Sequence, residues 1–131
     1  MKKKIRIITY GTFDLFHIGH LNILKRLNSL GDELIVGVST DEFNERKNKK
    51  SVIPYDERRE IVSSIKFVDK TIPESSWSQK IQDIQKYNIH IFGIGDDWKG
   101  EFDYLKEYCE VVYLERTPSI SSNQIKKKLN K

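Results

Sequence analysis

Two histidines stand three residues apart in segment 11–20, which reads Gly-Thr-Phe-Asp-Leu-Phe-His-Ile-Gly-His. The segment follows a β-branched run and precedes a helical pattern, so the imidazoles of His17 and His20 can point to one side of a helix start. Gly19 leaves room for a ligand near the backbone. A helix start also offers unpaired N–H groups and the positive end of the helix dipole. A lone His-x-x-His pair is more often structural, but its position after the first strand favours an anion-binding site.

Positive charge elsewhere in the chain also favours anionic partners. Lysine and arginine number 23 against 19 aspartate and glutamate residues, which gives a formal charge of +4 and a pI near 9.1. The excess is concentrated at residues 46–50 and 126–128. Composition alone leaves three interpretations open: phosphorylated metabolites as ligands, nucleic acid as a ligand, or simply solvated loops and tails.

The elements that must position these residues alternate along the chain. Short β-branched runs separated by helical patterns are typical of a parallel α/β sheet. The predicted strands are residues 5–9, 33–39, 68–72, 89–94 and 110–114. Five parallel strands with right-handed crossovers predict a Rossmann-like open sheet with helices on both faces. Ligands bind at the carboxyl ends of such strands, and this edge is where segment 11–20 is expected to lie.

Helical patterns fill the gaps between the predicted strands. The first, over 20–30, ends before Gly31, a residue suited to the left-handed conformation of many helix ends. The second starts near Pro54 and places Arg58 on its apolar stripe, so Arg58 either leans over the core edge toward the ligand or lies on the surface. Further helices are predicted over 77–87, over 101–108 and from residue 121. Residues 45–51 are polar and cationic and predict a loop beside the ligand edge.

The size of the chain and its apolar content predict one cytosolic domain. A length of 131 residues fits a single domain over 1–131. No apolar stretch approaches the roughly 20 residues that a membrane helix needs, and no cationic leader precedes an apolar run. We therefore expect a cytosolic protein that does not bind membranes. Cys109 is the only cysteine, which excludes an intramolecular disulfide and a multi-cysteine metal site.

Segment 11–20 resembles the Gly-Thr-Phe-Asp and His-x-Gly-His motif of the cytidylyltransferase family, which belongs to the nucleotidyltransferase superfamily. Other segments resemble, in the same order and spacing, the bacterial glycerol-3-phosphate cytidylyltransferases of that family. They are 39–44 (Ser-Thr-Asp-Glu-Phe-Asn), the lysines at 47 and 49, 95–98 (Gly-Asp-Asp-Trp) and 116–122 (Arg-Thr-Pro-Ser-Ile-Ser-Ser). The histidine motif is shared across the superfamily, whereas the combination is more specific. The resemblance covers essentially the whole chain.

The resemblance implies roles for individual residues. Those implied to act in catalysis are His17, His20, Lys49 and Arg116. Those implied to bind CTP are Thr12, Phe13, Asp14, Ile18, Gly19, Asp97, Thr117, Pro118, Ser119, Ile120, Ser121, Ser122 and Asn123. Those implied to bind the phosphate of the acceptor are Lys47 and Lys80. The two histidines would contact the phosphates of CTP and stabilise the charge that develops during transfer.

The resemblance also implies the reaction. The cytidylyl group of CTP would pass to a small phosphorylated polyol, first of all glycerol 3-phosphate, giving CDP-glycerol and pyrophosphate. Because both substrates are polyanions, they need concentrated positive charge and aimed donors. A phosphate monoester is a nucleophile near neutral pH, so in-line attack on the α-phosphorus requires no dedicated base. Mg²⁺ is expected to be bound through the triphosphate of CTP, with no metal site made by the protein alone.

The resemblance leads us to expect a homodimer, and it leaves other properties open. It does not identify the polyol or sugar phosphate, nor whether the product is used for a teichoic acid, a capsule or another glycan. Three residues differ from the usual pattern of close relatives: Ser119 replaces glycine, Ser122 replaces threonine and Lys66 replaces arginine. Lysine does not reproduce the bidentate geometry of arginine, so these differences bear on the acceptor more than on CTP.

Three alternatives compete with this interpretation. An adenylyltransferase of the same superfamily would share the histidine motif and use ATP, but the lysine loop and segment 116–122 match the CTP branch. A basic nucleic-acid-binding module is favoured by charge only, because no aromatic platform or recognition helix is predicted and Asp96 and Glu101 would repel a phosphate backbone. A zinc site at His17 and His20 lacks further His or Cys ligands at suitable spacing.

Overall fold

Five parallel strands form one sheet in the computed structural model, which describes residues 4–115. The helices and strands are β1 (Arg6–Gly11), α1 (Ile18–Asn28), β2 (Glu33–Ser39), α2 (Asp41–Arg46), α3 (Tyr55–Ser63), β3 (Lys70–Glu74), α4 (Gln79–Lys86), β4 (Ile91–Gly95) and β5 (Glu110–Leu114). Two 3₁₀ segments, Asp96–Trp98 and Asp103–Glu107, lie between β4 and β5. The strand order β3-β2-β1-β4-β5 confirms the predicted Rossmann-like α/β fold. None of the helices within residues 4–115 is long and apolar enough to cross a membrane.

The strand order reverses at β1, which creates a crevice at one edge of the sheet. From β1 the chain moves outward through β2 to β3 and then returns to β4 on the other side of β1. In open sheets of this kind, ligands bind outside the carboxyl ends of the strands at the point of reversal. Segment 11–20 follows β1 and therefore lies at that point, as predicted from the sequence.

Both faces of the sheet are buried, because the side chains of its central strands alternate between two hydrophobic clusters. On β2, Leu34, Val36 and Val38 belong to the cluster that also contains residues of α1 and α3. Ile35, between them, belongs to the cluster that also contains Ile84 of α4. Strands buried on both faces form the near-continuous apolar runs from which the sheet was predicted.

Most element boundaries lie within two residues of the prediction, but one predicted helix is wrong and one observed helix was not predicted. The segment predicted as a helix over 101–108 is a 3₁₀ turn at Asp103–Glu107. Helix α2 was not predicted, and its last residues fall in the stretch that was predicted to be a loop, 45–51. Its six residues are too few for a helical period, and it is stabilised at its start by Thr40 Oγ1, which accepts the N–H of Phe43 at 3.1 Å. The helix predicted from residue 121 lies outside the described residues.

Gly31 does not have the left-handed conformation that the sequence predicted. Helix α1 ends at Ser29, whose backbone is right-handed helical (φ −69°, ψ −14°), and Gly31 is not among the residues of positive φ. A Cβ atom at Gly31 would instead lie 2.8 Å from the carbonyl oxygen of Ile5. The glycine is therefore required by the close approach of the two backbones and not by a left-handed turn.

Substitution Gly93→Ala should destabilise the protein. Its Cβ would clash with Cδ2 of Leu27, a fully buried side chain, and overpacking of this kind typically lowers the free energy of unfolding by about 1–3 kcal/mol. Gly95→Ala on the same strand is the matched control, because its Cβ would meet no atom closer than Ile23 Cδ1 at 3.9 Å. Urea unfolding followed by circular dichroism measures the difference. Equal stability of the two variants would contradict the packing of α1 on β4.

Candidate active site

A cavity of about 510 Å³ opens at the carboxyl edge of the sheet. Its wall includes Gly11, Glu74 and Gly95, the last residues of β1, β3 and β4. Most of the described residues that the sequence assigned to the site also line it: Thr12, Phe13, Asp14, His17, Gly19, His20, Lys47, Lys49, Lys80 and Asp97. The structure therefore brings together residues from four separate stretches of the chain around one space.

The turn after β1 holds the first wall of the cavity in an unusual backbone conformation. Phe13 and Leu15 both have positive φ angles, 53° and 48°, which are rare for bulky residues and are found preferentially at functional sites. The turn brings the ring of Phe13 back over Gly11, where a Cβ atom would lie 2.8 Å from Cε2 of the ring. Glycine at this position is therefore needed for the turn that directs the chain into α1.

The two histidines form a reciprocal cap at the start of α1. Nδ1 of His17 accepts the N–H of Gly19 at 3.0 Å, and Nδ1 of His20 accepts the N–H of His17 at 3.2 Å. Their rings stack with centroids 3.9 Å apart. A ring nitrogen that accepts a hydrogen bond carries no proton, so each neutral ring carries its proton on Nε2. The backbone thus fixes both histidines as Nε2–H donors.

Burial restricts the charge of His20. The pKa of His20 is lowered to about 3, chiefly by desolvation and also by the neighbouring His17, while Asp14 opposes the shift. Protonation of Nδ1 would also break the cap that the hydrogen bond provides. His20 is therefore a neutral hydrogen-bond donor at physiological pH and not a cation.

Arg58 joins the segments around the cavity but does not line it. Its guanidinium is 1% exposed and donates to four oxygens. Nε donates to the carbonyl of Ile53 at 2.8 Å, and Nη1 donates to the carbonyls of Thr12 and Ser39, each at 2.8 Å. Nη2 donates to Oδ1 of Asp41 at 2.7 Å. The sequence left two locations open for this side chain. The surface location is wrong, because the side chain lies at the edge of the core beneath the site.

Asn44 is a site residue that the sequence analysis did not assign a role. Its side chain is 1% exposed, with Oδ1 accepting from Thr12 Oγ1 at 3.1 Å and Nδ2 donating to Ser51 Oγ at 2.9 Å. Its carbonyl accepts the N–H groups of Lys47 and Lys49. Asn44 thus attaches the lysine loop to the turn after β1. Asn44 falls within segment 39–44, whose match to the family was the only sign in the sequence that it belongs to the site. An asparagine in a polar stretch is otherwise expected to be exposed to solvent.

Asp14 attaches the far end of the same loop. Its carboxylate oxygens accept the N–H groups of Val52 at 2.8 Å and of Ile53 at 2.9 Å. The side chain is 3% exposed, so these charge-assisted bonds replace water around a buried carboxylate. Asp14 therefore holds the backbone at residues 52–53 against the turn after β1.

The two lysines assigned to the acceptor differ in their surroundings. Lys80 is 1% exposed, and its Nζ lies 2.6 Å from Oε2 of Glu74. Lys47 is half-buried, with Nζ 4.4 Å from the ring centroid of Phe43 and 5.6 Å from that of Trp77. Burial lowers the pKa of Lys47 to about 8, so it is mostly protonated at pH 7. Both amines lie near the same indole, because Lys80 Nζ is 5.0 Å from the Trp77 ring centroid.

Some assigned residues are not brought to the cavity or are not described. Ile18 is 53% exposed at the start of α1 and is not among the residues of the cavity wall. Asp97 is exposed in the 3₁₀ turn after β4 and does line the cavity. The residues assigned from the last segment lie outside the described residues: Arg116, Thr117, Pro118, Ser119, Ile120, Ser121, Ser122 and Asn123.

Comparisons with known proteins identify the family and agree with the fold. A family model described as cytidylyltransferase-like matches residues 8–128. Glycerol-3-phosphate cytidylyltransferase of Bacillus spizizenii is 62% identical over 122 residues, which are 93% of this chain and 95% of that protein. The enzyme of the same name from Staphylococcus aureus is 52% identical over 124 residues, 95% of this chain and 94% of that protein. Among solved structures, a lipopolysaccharide core biosynthesis protein from Thermoplasma volcanium superposes with a TM-score of 0.78 at 25% identity, covering 88% of this chain and 99% of that one.

The ring of His20 should remain neutral as the pH falls from 7 to 4. Its pKa of about 3 follows from burial and from the stacked His17, and the hydrogen bond at Nδ1 predicts the Nε2–H tautomer. Nitrogen-15 chemical shifts of the labelled imidazoles across this range measure both properties. His90, whose Nδ1 accepts the N–H of Arg6 on the sheet, provides an internal comparison for signal assignment. A midpoint for His20 near 6.5, or an Nδ1–H tautomer, would contradict the cap described here.

Proposed function

Because this chain belongs to the cytidylyltransferase-like family, we propose that it transfers the cytidylyl group of CTP to glycerol 3-phosphate and releases pyrophosphate. The observation that carries the proposal is the cavity, in which two histidines at a helix start face the same space as Lys47, Lys49 and Lys80. Such a site suits two phosphorylated substrates that must be held together. Identity above 50% with two enzymes named for this reaction, over more than 90% of the chain, supports the choice of nucleotide and acceptor.

The reaction is a direct in-line displacement. An oxygen of the acceptor phosphate attacks the α-phosphorus of CTP, the bond from that phosphorus to the bridging oxygen breaks, and pyrophosphate leaves with the electron pair. The acceptor oxygen carries no proton to be removed near neutral pH, so no general base is assigned. Positioning and electrostatic stabilisation account for the catalysis, as in phosphoryl transfer generally.

The histidines act on the CTP side of the cavity. Each Nε2–H would donate to a phosphate oxygen of CTP, next to the start of α1, where the helix dipole also favours an anion. Since the cap already fixes both ring orientations, little reorganisation is needed when charge develops on the transferred phosphate. Thr12, Phe13 and Gly19 on the same turn complete the wall that CTP would contact.

The lysines act mainly on the acceptor side. Lys47 and Lys80 would bind the acceptor phosphate, because their amines share the indole of Trp77 as a neighbour and both connect to Glu74, Lys80 directly and Lys47 through Ser39. Lys49, exposed in the cavity wall, would meet the phosphates of CTP, and Asp97 would hold its nucleoside portion. The roles of Arg116 and of residues 117–123 in closing over CTP remain proposals that rest on the resemblance.

Mg²⁺ is proposed to enter with CTP. Within residues 4–115 there is no group of three or more His, Cys, Asp or Glu side chains that could hold a metal ion. Two carboxylates of the cavity wall, Asp14 and Glu74, already accept hydrogen bonds from the protein. This donor set fits an ion bound chiefly by triphosphate oxygens, the arrangement that Mg²⁺ prefers. Bound there, the ion would neutralise charge on the pyrophosphate group.

Two further properties are proposed from the resemblance alone. We expect the chain to form a homodimer and to act in the cytosol on dissolved substrates. Neither nucleic acid nor a membrane is assigned as a partner.

The direct test is pyrophosphate release with Mg²⁺ across CTP, ATP, UTP and GTP, each combined with glycerol 3-phosphate and other phosphorylated polyols. We expect the fastest release with CTP and glycerol 3-phosphate, together with CDP-glycerol detected by mass spectrometry. Reactions without an acceptor control for hydrolysis of the nucleotide. The cytidylyl assignment would be wrong if pyrophosphate were released from ATP with some acceptor but from CTP with none of the acceptors tested.

His17→Asn and His20→Asn should each lower kcat by roughly 100-fold or more, the loss expected for a preorganised donor to transition-state charge. Asparagine keeps an acceptor near the position of Nδ1, so the cap at the start of α1 should survive, whereas the Nε2–H donor is lost. The Ala variants also lose the cap and should melt at a lower temperature. Turnover per folded molecule, with melting temperature measured in parallel, separates the two effects. Near-parental turnover in the Asn variants would contradict a catalytic role for Nε2.

A further inference from the structure

Glu74 is a buried carboxylate that lines the cavity at the carboxyl end of β3. It is 3% exposed. Oε2 accepts from Nζ of Lys80 at 2.6 Å, and Oε1 accepts from Oγ of Ser39 at 2.5 Å. Nζ of Lys47 donates to the same Ser39 oxygen at 3.4 Å. The carboxylate therefore contacts one lysine directly and the other through a single hydroxyl group.

Lys80 needs a counter-charge because its amine is surrounded by aromatic rings. Nζ lies 4.5 Å from the ring centroid of Tyr10, 5.0 Å from that of Trp77 and 5.5 Å from that of Phe102. The ring faces attract a cation, but they replace little of the hydration that the ammonium loses on burial. A buried ammonium without an opposite charge is strongly disfavoured, so the direct ion pair with Glu74 keeps Lys80 in place.

Lys47 depends on Glu74 for its charge. Burial lowers its pKa to about 8, and the charged groups around it act in both directions. Glu74 of β3 raises the pKa of Lys47, whereas three cations lower it: Lys49 of the loop, Lys80 of α4 and Arg58 of α3. Removing the carboxylate would leave Lys47 facing only groups that favour its neutral form.

We propose that Glu74 is a positioning residue of the acceptor subsite, by which we mean the wall formed by Lys47, Lys80 and Trp77. It holds both ammonium groups, charged, at the place where the acceptor phosphate binds. Two ammonium groups on one carboxylate leave net positive charge for a phosphate. The inference rests on the proposed function, since an acceptor phosphate is what the two amines would bind. It assigns Glu74 to the acceptor and not to CTP, because the carboxylate contacts Lys80 directly and Lys47 through Ser39.

Glu74→Gln tests the charge while preserving the shape. The amide oxygen can still accept a hydrogen bond, but the negative charge is gone. We expect kcat/KM for glycerol 3-phosphate to fall roughly 10- to 100-fold, the range that misplacement of a binding group produces, with little change in the KM of CTP. Glu60→Gln is the matched control, because Glu60 is exposed on α3 and its substitution changes the net charge by the same amount as Glu74→Gln. An equal loss for CTP and acceptor, or a loss of stability alone, would overturn the proposal.

A second readout requires no substrate. Carbon-13 shifts of the lysine ε-methylene groups, followed against pH in the free protein, should give a pKa for Lys47 of about 8 in the parent and a lower value in Glu74→Gln. The alkaline limb of kcat/KM for the acceptor should move to lower pH in the same variant, because the protonated amine binds the phosphate. An unchanged Lys47 titration would overturn the proposal. If the parent makes no CDP-glycerol, the proposed function fails, whereas the titration still decides whether Glu74 controls Lys47.

Ser39→Ala provides a second variant in case Glu74→Gln does not fold. It removes the hydroxyl bridge between Lys47 and Glu74, but it leaves the Lys80 ion pair and the Ser39 carbonyl that accepts from Arg58. The acceptor KM should rise and the Lys47 titration should move to lower pH, with the KM of CTP near the parental value. If Ser39→Ala leaves the Lys47 titration and the acceptor KM unchanged, the bridge does not position Lys47 and the proposal is wrong for that lysine.

Discussion

The geometry of the site depends on the burial of Arg58 between segments that are distant in sequence. A parallel sheet leaves the carbonyl groups at its carboxyl edge without partners when the strands end, and each strand here is followed by a turn that must bend away. The guanidinium of Arg58 binds the carbonyl at the end of β2 and that of Thr12 just after β1, while Asp41 at the start of α2 balances its charge. The planar guanidinium group makes these hydrogen bonds simultaneously, which the single ammonium group of a lysine cannot do.

Several other polar groups around the cavity also form hydrogen bonds to backbone groups instead of facing solvent. Asp14 binds two N–H groups of the loop that leads to α3, and the carbonyl of Asn44 binds two N–H groups of the lysine loop. The histidine caps belong to the same pattern. Buried polar groups that are fully hydrogen-bonded favour one arrangement over others, since any displacement leaves a donor or acceptor unsatisfied. The loops that carry Lys47 and His17 are therefore fixed before a substrate arrives.

The sequence predicted the sheet well because buried parallel strands are short apolar runs, and it located the histidine motif because the motif lies between such a strand and a helix. It did not predict α2, which has six residues and is stabilised by the Thr40 cap and by Asn44 beneath the loop, not by an apolar period. It left the location of Arg58 undecided, because helical spacing does not reveal that its side chain binds three carbonyl groups and a carboxylate, most of them from other segments. It also missed Glu74, since a glutamate at a strand end gives no sign that Ser39 and Lys80 will meet it. What escaped prediction is mainly side-chain hydrogen bonding between elements.

The proposed reaction places different electrostatic requirements on the two sides of the cavity. In the proposed reaction, a fixed neutral donor next to the transferred phosphate would stabilise developing charge in the same way over a wide pH range, and the low pKa of His20 suits that role. On the proposed acceptor side a full positive charge would be needed, since a dianionic phosphate would approach CTP against repulsion. There the fold buries amines among aromatic rings, which strengthens their interaction with a phosphate but favours loss of their protons. A buried carboxylate beside them favours the protonated amines, so we expect the pH dependence of the proposed reaction to originate in Lys47 and not in His20.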